Sequence, residues 1–219
     1  MLIDTARGEQ STITVSGLVV RAKHLADLEA RVGRWLGRCR VLMLGGSVPP
    51  GVPADWYGQW IRRGRALGLP VLLDTSGETL ARCAPAGPTV VKPNLDELAE
   101  LAGRPLSSRA DAVQAARELL NWGIDLVVAT LGADGAVAIT GKETIYLPPL
   151  PVRPVNCAGA GDAMMAGLAC AYARGWPMEQ GLRLAVAAAT AVVITPGTAE
   201  CRREDVERFL PQVRLEPWG

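Results

Sequence analysis

Short apolar runs alternate with amphipathic helical patterns over most of the chain. The apolar runs predict buried strands at residues 40–44, 71–73, 89–91 and 125–130. The helical patterns between them predict helices at 54–67 and 110–122, which Gly68 and Gly123 close. Apolar strands without alternation, each followed by a helix, are typical of a parallel sheet covered on both faces. The pattern therefore predicts an α/β fold.

Polar clusters follow each of the predicted strands. They lie at residues 45–47, 74–77, 92–97 and 130–135. In parallel sheets, ligands bind beyond the carboxyl ends of the strands, where these clusters are. We therefore expect the four clusters to converge on one crevice.

The ends of the chain follow a different pattern from the centre. Residues 136–147 read as a hairpin that turns at Gly141 and Lys142, and a proline-rich connection then leads to Asn156. Alanine-rich helices are expected at 162–174 and 178–192, and a last helix at 203–210. At the other end, residues 2–4 and 10–15, joined by a turn at 5–9, predict a small hairpin.

Composition excludes several classes of function. The chain has 23 basic and 22 acidic residues and a net charge of +1, which gives no electrostatic case for nucleic acid or an anionic membrane as partner. The longest apolar run, 184–194, is shorter than the ~20 residues that a membrane span needs. The five cysteines are scattered and His24 is the single histidine, a pattern that indicates neither a zinc site nor a disulfide framework. We expect a cytoplasmic protein, with His24 solvated at a helix start.

A turn of small residues, 156–163, precedes the helix predicted at 162–174. Small residues let a backbone approach an anion closely, and the N–H groups at a helix start point outward at the positive end of its dipole. Asp162, in the first turn, is placed to accept a proton from an attacking hydroxyl group beside a phosphoryl group. The alternative, that Asp162 only caps the helix, stays open.

This turn and its surroundings resemble the PfkB (ribokinase-like) carbohydrate kinase family over residues 40–210. Residues 156–167 are similar to the C-terminal signature of that family, whose Asp is the catalytic base and whose Gly-x-Gly backbone forms the anion hole. The resemblance implies that Asp162 is the base and that Gly159, Ala160 and Gly161 stabilise the transferred phosphoryl group. Cys157 and Ala158 depart from the usual residues, but they flank the hole.

Residues 92–98 resemble the KPNxxEL segment of the family. The resemblance implies that Lys92 and Asn94 contact ATP and that Glu97 holds Mg²⁺, which prefers oxygen ligands and keeps several waters. Asn94 and Glu97 are also spaced as a helix-capping pair, and both roles are compatible. Lys92 is one of few lysines in an arginine-rich chain, which weakly indicates a role for a compact ammonium group.

Two further segments match nucleotide-binding positions of the family. Residues 130–135 are similar to its SLGADG loop, so Thr130, Gly132 and Gly135 are expected to contact phosphate or ribose, although a plain turn also explains them. Val186 and Thr190 match positions that line the adenine pocket, and core packing is the alternative for both.

Residues 46–51 and 73–77 resemble the hexose-phosphate branch of the family, which contains 1-phosphofructokinase and tagatose-6-phosphate kinase. In that branch the serine that matches Ser47 contacts the sugar phosphate; a rigid proline turn is the alternative reading of its segment. The resemblance implies ATP-dependent phosphorylation of fructose 1-phosphate or tagatose 6-phosphate, with ATP and Mg²⁺.

The same resemblance sets the expected architecture. It implies a single ribokinase-like kinase domain over 1–219, a three-layer sandwich with a mainly parallel sheet. Residues 1–15 would be the remnant of a lid hairpin and 40–210 the nucleotide-binding core, without the usual N-terminal portion of the family. The alternative function is a truncated, non-catalytic nucleotide-binding module or half of a split kinase. A homodimer or a complementing N-terminal chain is the expected partner besides the sugar phosphate.

Overall fold

A seven-stranded sheet forms the centre of the computed structural model, which describes residues 2–4, 9–11 and 17–218. Its strands lie in sequence order from one edge to the other. They are β3 (Leu42–Gly45), β4 (Val71–Asp74), β5 (Val90–Val91), β6 (Leu126–Thr130), β7 (Ala136–Ile139), β8 (Thr144–Leu147) and β9 (Glu216–Pro217). A separate antiparallel pair consists of β1 (Leu2–Asp4) and β2 (Glu9–Ser11).

Eight helices connect and cover these strands in the described part of the chain. They are α1 (Ala22–Leu36), α2 (Trp56–Ala66), α3 (Gly77–Cys83), α4 (Leu95–Ala102), α5 (Arg109–Leu119), α6 (Ala160–Arg174), α7 (Met178–Val193) and α8 (Arg203–Phe209). The helices expected from the sequence are present, with ends that differ by one or two residues, and α5 continues into a 3₁₀ turn at Leu120–Trp122. None of these helices is long and apolar enough to cross a membrane.

The sheet is parallel on one side and antiparallel on the other. Strands β3 to β6 pair in parallel, and β6 to β9 pair antiparallel. The predicted parallel strands and the predicted hairpin, now β7 and β8, are therefore confirmed. The sequence did not predict β9, which adds an antiparallel edge, or helix α3, which follows directly after β4.

Alternate residues of the strands supply two separate cores. Leu73, Val91 and Val127 face one core, which also contains apolar residues of α2, α3, α4 and α5. Leu72, Val90 and Val128 face the other core, with apolar residues of α6, α7 and α8. Both faces of the central strands are thus fully buried, which is why these strands read as continuous apolar runs. The result is the predicted three-layer sandwich.

The predicted N-terminal hairpin is present as the β1–β2 pair, in which Ile3 lies opposite Gln10. Residues 5–8 of the turn predicted at 5–9, and residues 12–15 of the strand predicted at 10–15, lie outside the described residues. Glu9, expected in the turn, begins β2. His24 lies exposed in the first turn of α1, where its Nδ1 accepts a hydrogen bond from the Arg21 N–H at 3.2 Å. It is a solvated helix-start residue, as expected.

Candidate active site

The carboxyl ends of the parallel strands bring the expected polar clusters together. Leu73 of β4 pairs with Val91 of β5, so Asp74 and Lys92, one residue further along each strand, are neighbours. Beyond β5, Asn94 forms a parallel bridge with Thr130 at the end of β6. Three of the four clusters therefore meet at one edge of the sheet, and the fourth, at Gly45, is in register with Asp74.

A cleft of about 480 Å³ lies at this edge, between the loops after β5 and β6 and the start of α6. Part of its lining consists of small and polar residues, and the rest consists of apolar side chains of α7 and the 147–154 connection. The small and polar lining residues include Asn94, Thr130, Gly132, Gly135, Ala160 and Gly161. The apolar lining residues include Leu147, Pro149, Leu150, Val186, Ala189 and Val193, and Thr190 lines the cleft as well. Such a cleft can hold a molecule with one flat apolar part and one anionic part.

The turn before α6 is held by a close approach to the loop after α7. Asn156 is fully buried; its amide donates to the Pro196 and Gly197 carbonyls at 3.1 and 3.3 Å, and its Oδ1 accepts from the Ala158 N–H at 2.9 Å. Gly159 has φ of 89°, and a Cβ atom there would lie 2.5 Å from the Ala199 Cα. Only glycine fits at this position, because both the backbone conformation and the neighbour exclude a side chain.

Helix α6 begins without a capping side chain. Its N-cap is Gly159, and no side chain accepts a hydrogen bond there. The Ala160 N–H donates to the Cys157 carbonyl at 3.2 Å, whereas the N–H groups of Gly161 and Asp162 have no acceptor among the described residues. Free donors at a helix N-terminus form an anion-binding site. The exposed Asp162 side chain thus does not act as the helix cap, which was the alternative role considered for it.

Next to this turn, the Lys92 ammonium lies 3.1 Å from Asp74 Oδ1. The two side chains are only 8% and 18% exposed. A Cβ atom at Gly161 would lie 2.9 Å from Lys92 Nζ, so the ammonium is against the first turn of α6. Burial raises the pKa of Asp74 above its ordinary value of 3.8; the Lys92 charge opposes this shift, and the charge of Asp162 adds to it. A Cβ atom at Gly161 would lie 3.8 Å from Asp74 Oδ2, so the turn that carries Asp162 is on the same side of the sheet as Asp74.

Glu97 and Asn94 form a reciprocal pair at the start of α4. The Glu97 N–H donates to Asn94 Oδ1 and the Asn94 N–H donates to Glu97 Oε2, both at 2.9 Å. This is the expected capping box. Burial raises the pKa of Glu97, the Asn94 N–H and the Lys92 charge lower it in part, and the charge of Asp74 raises it further. The charges of Lys92 and Asp74 therefore both act on Glu97.

The residues present fit a divalent cation that is held mainly by other groups. In the described part of the chain, no three His, Cys, Asp or Glu side chains cluster closely enough to bind a metal by themselves. The Glu97 carboxylate has one oxygen in the capping box and its Oε1 accepts from no described residue. One free carboxylate oxygen suits Mg²⁺ that keeps its waters and is otherwise bound by phosphate oxygens.

The loop after β6 is rigidly supported from the hairpin side. The Leu131 N–H donates to the Gly135 carbonyl at 2.8 Å, and a side chain on Gly135 would collide with the Leu147 carbonyl. The Tyr146 hydroxyl donates to the Asp134 carbonyl at 3.0 Å. Gly132 and Gly135 both have positive φ, a conformation that favours glycine. Both residues line the cleft, so the loop contributes backbone and no side chain there.

The two α7 residues and Ser47 differ in how they relate to the cleft. Val186 and Thr190 line it and are both largely buried; the Thr190 hydroxyl donates to the Val186 carbonyl at 2.8 Å. Ser47 is exposed after β3 and does not line the cleft. A broader concavity of about 590 Å³ lies beside it, between residues 48–55 and α3, where Glu78 and Arg82 pair with each other. That concavity is lined by Val48, Pro49 and Pro50 of the 46–51 segment, but not by Ser47 itself.

Sequence reasoning did not single out Asp74 or Asn156 as site residues. Asp74 was visible only as part of a polar cluster, and its pairing with Lys92 depends on β4 and β5 being neighbours. Asn156 was taken as the first residue of the motif, and its contacts to Pro196 and Gly197 join segments that are 40 and 41 residues apart. The sequence contained one signal for both residues: each is the first residue of a segment, 74–77 or 156–163, that was already predicted to lie at the site.

Comparisons with known proteins agree with this geometry. The model of the pfkB family of carbohydrate kinases matches residues 1–205. The ATP-dependent 6-phosphofructokinase isozyme 2 of Mycobacterium tuberculosis is 39% identical over 173 residues, which are 78% of this chain and 50% of that protein. The 1-phosphofructokinase of Escherichia coli is 34% identical over 212 residues, which are 97% of this chain and 68% of that protein.

Among solved structures, phosphofructokinase-2 from Escherichia coli in complex with potassium superposes with a TM-score of 0.85 at 30% identity. The match covers 94% of this chain and 67% of that chain. The ribokinase-like fold is therefore confirmed. The chain spans between half and about two thirds of the length of these relatives.

Proposed function

Because the chain belongs to the pfkB family of carbohydrate kinases, we propose that it carries the ATP-binding and phosphoryl-transfer part of a sugar-phosphate kinase. The acceptor would be a ketohexose phosphate, fructose 1-phosphate or tagatose 6-phosphate, or fructose 6-phosphate as the name of one relative suggests. One observation carries the proposal: the free N–H groups that open α6, the Lys92 ammonium and the cleft meet at Gly161. The whole chain, with residues 40–210 as its core, would act as one domain.

The cleft suits a nucleotide in one orientation. Its apolar lining, with Val186 and Thr190, would bind the adenine ring, since apolar walls with few polar groups favour a flat heterocycle. Its small and polar lining would bind the ribose and the phosphates, through Thr130, Gly132 and Gly135 and through Asn94. The terminal phosphoryl group would then lie at Gly161, the residue that lines the cleft and contacts the Lys92 side.

At this point the chain offers what phosphoryl transfer requires. The Asp162 carboxylate would accept the proton of the acceptor hydroxyl while the oxygen of that hydroxyl forms a bond to the γ-phosphorus of ATP. The bond from that phosphorus to the β–γ bridging oxygen breaks, and ADP leaves with the electron pair. The backbone of the Gly159, Ala160 and Gly161 turn would stabilise the charge on the transferred group, chiefly through the unpaired N–H groups of Gly161 and Asp162.

Glu97 is the residue of this chain that would hold Mg²⁺, through water and its free Oε1 atom. Mg²⁺ bound with ATP would neutralise phosphate charge. Glu97 needs no rearrangement for this role, because the capping box already fixes its side chain at the edge of the crevice. The helix-capping role uses Oε2 and leaves Oε1 for the proposed metal-binding role.

The acceptor would approach from the β3 and β4 side of Asp162. Ser47 follows β3, whose Gly45 is in register with Asp74. Its hydroxyl would contact a sugar phosphate that extends away from the cleft. Ser47 is exposed on the described surface.

The test is formation of ADP from ATP with each of the three sugar phosphates, measured with a coupled assay and with product identification. Turnover with at least one of them, and none with water alone, would support the kinase. The alternative is a non-catalytic nucleotide-binding module or half of a split kinase. ATP-dependent thermal stabilisation without turnover would favour that alternative.

A further inference from the structure

The buried pair formed by Asp74 and Lys92 has an unusual position. Asp74 ends β4, and Lys92 directly follows the adjacent parallel strand β5. The Lys92 N–H donates to the Leu73 carbonyl at 3.3 Å, which fixes the two backbones side by side. The ammonium group lies 3.1 Å from the Asp74 carboxylate and against Gly161, at the start of a 15-residue helix. Both side chains are largely removed from water.

Stability of the fold does not account for this arrangement. The N-terminus of a helix carries partial positive charge, so a cation there is repelled and an anion is attracted. A buried ion pair also contributes little net stability, because both charges lose their hydration. The structure nevertheless places a buried ammonium at the positive end of α6.

The donors around Gly161 lack an acceptor. An ammonium group has three N–H donors, and Asp74 is the single described residue that accepts from Lys92. The N–H groups of Gly161 and Asp162 are also without an acceptor in the described chain. Free donors at a helix N-terminus attract an anion, and the oxygens of a phosphoryl group would satisfy all of them.

We propose that Asp74 is a positioning residue for phosphoryl transfer: it holds the Lys92 ammonium against Gly161, where Lys92 contacts the transferred group. This inference rests on the proposed kinase function. Asp74 acts through Lys92, since its carboxylate accepts from the ammonium. The ammonium is also closer to the turn, because a Cβ atom at Gly161 would lie 2.9 Å from Lys92 Nζ and 3.8 Å from Asp74 Oδ2. A free lysine side chain has four flexible methylene groups, and the ion pair selects the one arrangement that faces the phosphoryl group.

The inference is tested with charge-removing variants of similar size. Asp74→Asn keeps the shape and removes the charge, and Lys92→Met keeps the chain length and removes the donors. Asp125→Asn is the matched control, because Asp125 pairs with Arg65 at 2.7 Å just before β6, at the opposite end of the parallel strands. The double variant Asp74→Asn with Lys92→Met removes both buried charges, so it leaves no unpaired ammonium to destabilise the fold.

We expect Asp74→Asn and Lys92→Met each to lower kcat by about 10²-fold, with a much smaller change in the KM for the sugar phosphate. Asp125→Asn should keep the wild-type kcat. The double variant should have the kcat of Lys92→Met alone, because Asp74 has no role once the ammonium is gone. This comparison holds even if Asp74→Asn alone does not fold.

Two results would overturn the inference while leaving the kinase intact. Wild-type kcat in a folded Asp74→Asn protein would show that the ion pair does not position Lys92 for transfer. A double variant that is slower than Lys92→Met by a further large factor would show that Asp74 acts directly. Wild-type protein that turns over none of the three sugar phosphates would instead remove the proposed function, and this inference with it.

Discussion

Replacing Gly159 by alanine tests whether the turn before α6 depends on a conformation and a close approach that only glycine allows. Gly159 has φ of 89°, and its missing Cβ atom would lie 2.5 Å from the Cα and Cβ atoms of Ala199. Ala199 itself has φ of 54°, so two left-handed residues are in contact. An added methyl group would have to push these backbones apart, together with the N–H groups that open the helix.

The size of the effect follows from two separate costs. A left-handed conformation costs a residue with a Cβ atom about 1–2 kcal/mol relative to glycine. Overpacking against a neighbour that cannot move freely adds about 1–3 kcal/mol. We therefore expect Gly159→Ala to lower the free energy of unfolding by about 2–5 kcal/mol. Gly103→Ala is the control, because Gly103 has φ of 64° and no atom within 4 Å of its missing Cβ. It should lose only the conformational part, about 1–2 kcal/mol.

Urea denaturation of the three proteins measures these differences, read from the midpoint at constant slope. A second substitution, Ala199→Gly in the Gly159→Ala protein, removes the contact with the Ala199 Cβ and should restore part of the loss. Equal losses for Gly159→Ala and Gly103→Ala would refute the reasoning, because the close approach to Ala199 would then contribute nothing.

Two further predictions concern residues of the crevice. Burial raises the pKa of Glu97 above its ordinary value of 4.5, so the folded protein holds this proton more tightly than the unfolded chain. That contribution to stability is present below pH 4.5 and is lost as pH rises through the raised pKa. Glu97→Gln keeps the capping oxygen and does not titrate. The urea midpoint of Glu97→Gln minus that of wild type should therefore increase as pH rises. A difference that stays constant or decreases would contradict this. In the apolar lining of the cleft, Ala189→Phe should raise the KM for ATP by about tenfold or more, with little change in kcat, because the larger side chain fills the cleft. An unchanged KM would show that ATP does not bind beside Ala189.

The sequence could predict those parts of the fold that each segment determines locally. The strands from β4 to β6 are continuous apolar runs because both of their faces are buried, so their positions were predictable. The turn before α6 and the loop at Thr130 were predictable as well, since glycine and small residues mark backbone that approaches something closely. Their convergence followed from the rule for parallel sheets, and the shared cleft agrees with it.

Features that depend on neighbours in space could not be predicted in the same way. The Asp74 and Lys92 pair exists because β4 and β5 are adjacent, and strand order is not a property of either segment. Strand β9 has two residues, one of them a proline, and it exists only through its pairing with β8. Helix α3 has seven residues and follows β4 so closely that its first residue was assigned to the preceding polar cluster.

The most direct test of the account is the turnover of Asp162→Asn, measured with binding of a non-hydrolysable ATP analogue by calorimetry. Asp96→Asn is the matched control, because Asp96 is an exposed acid in the first turn of α4, at the edge of the same crevice. We predict that Asp162→Asn lowers kcat by at least ~10²-fold while the analogue binds as it does to wild type, and that Asp96→Asn changes neither. Wild-type turnover in Asp162→Asn would contradict the assignment of the proton acceptor, and with it the proposed phosphoryl-transfer site.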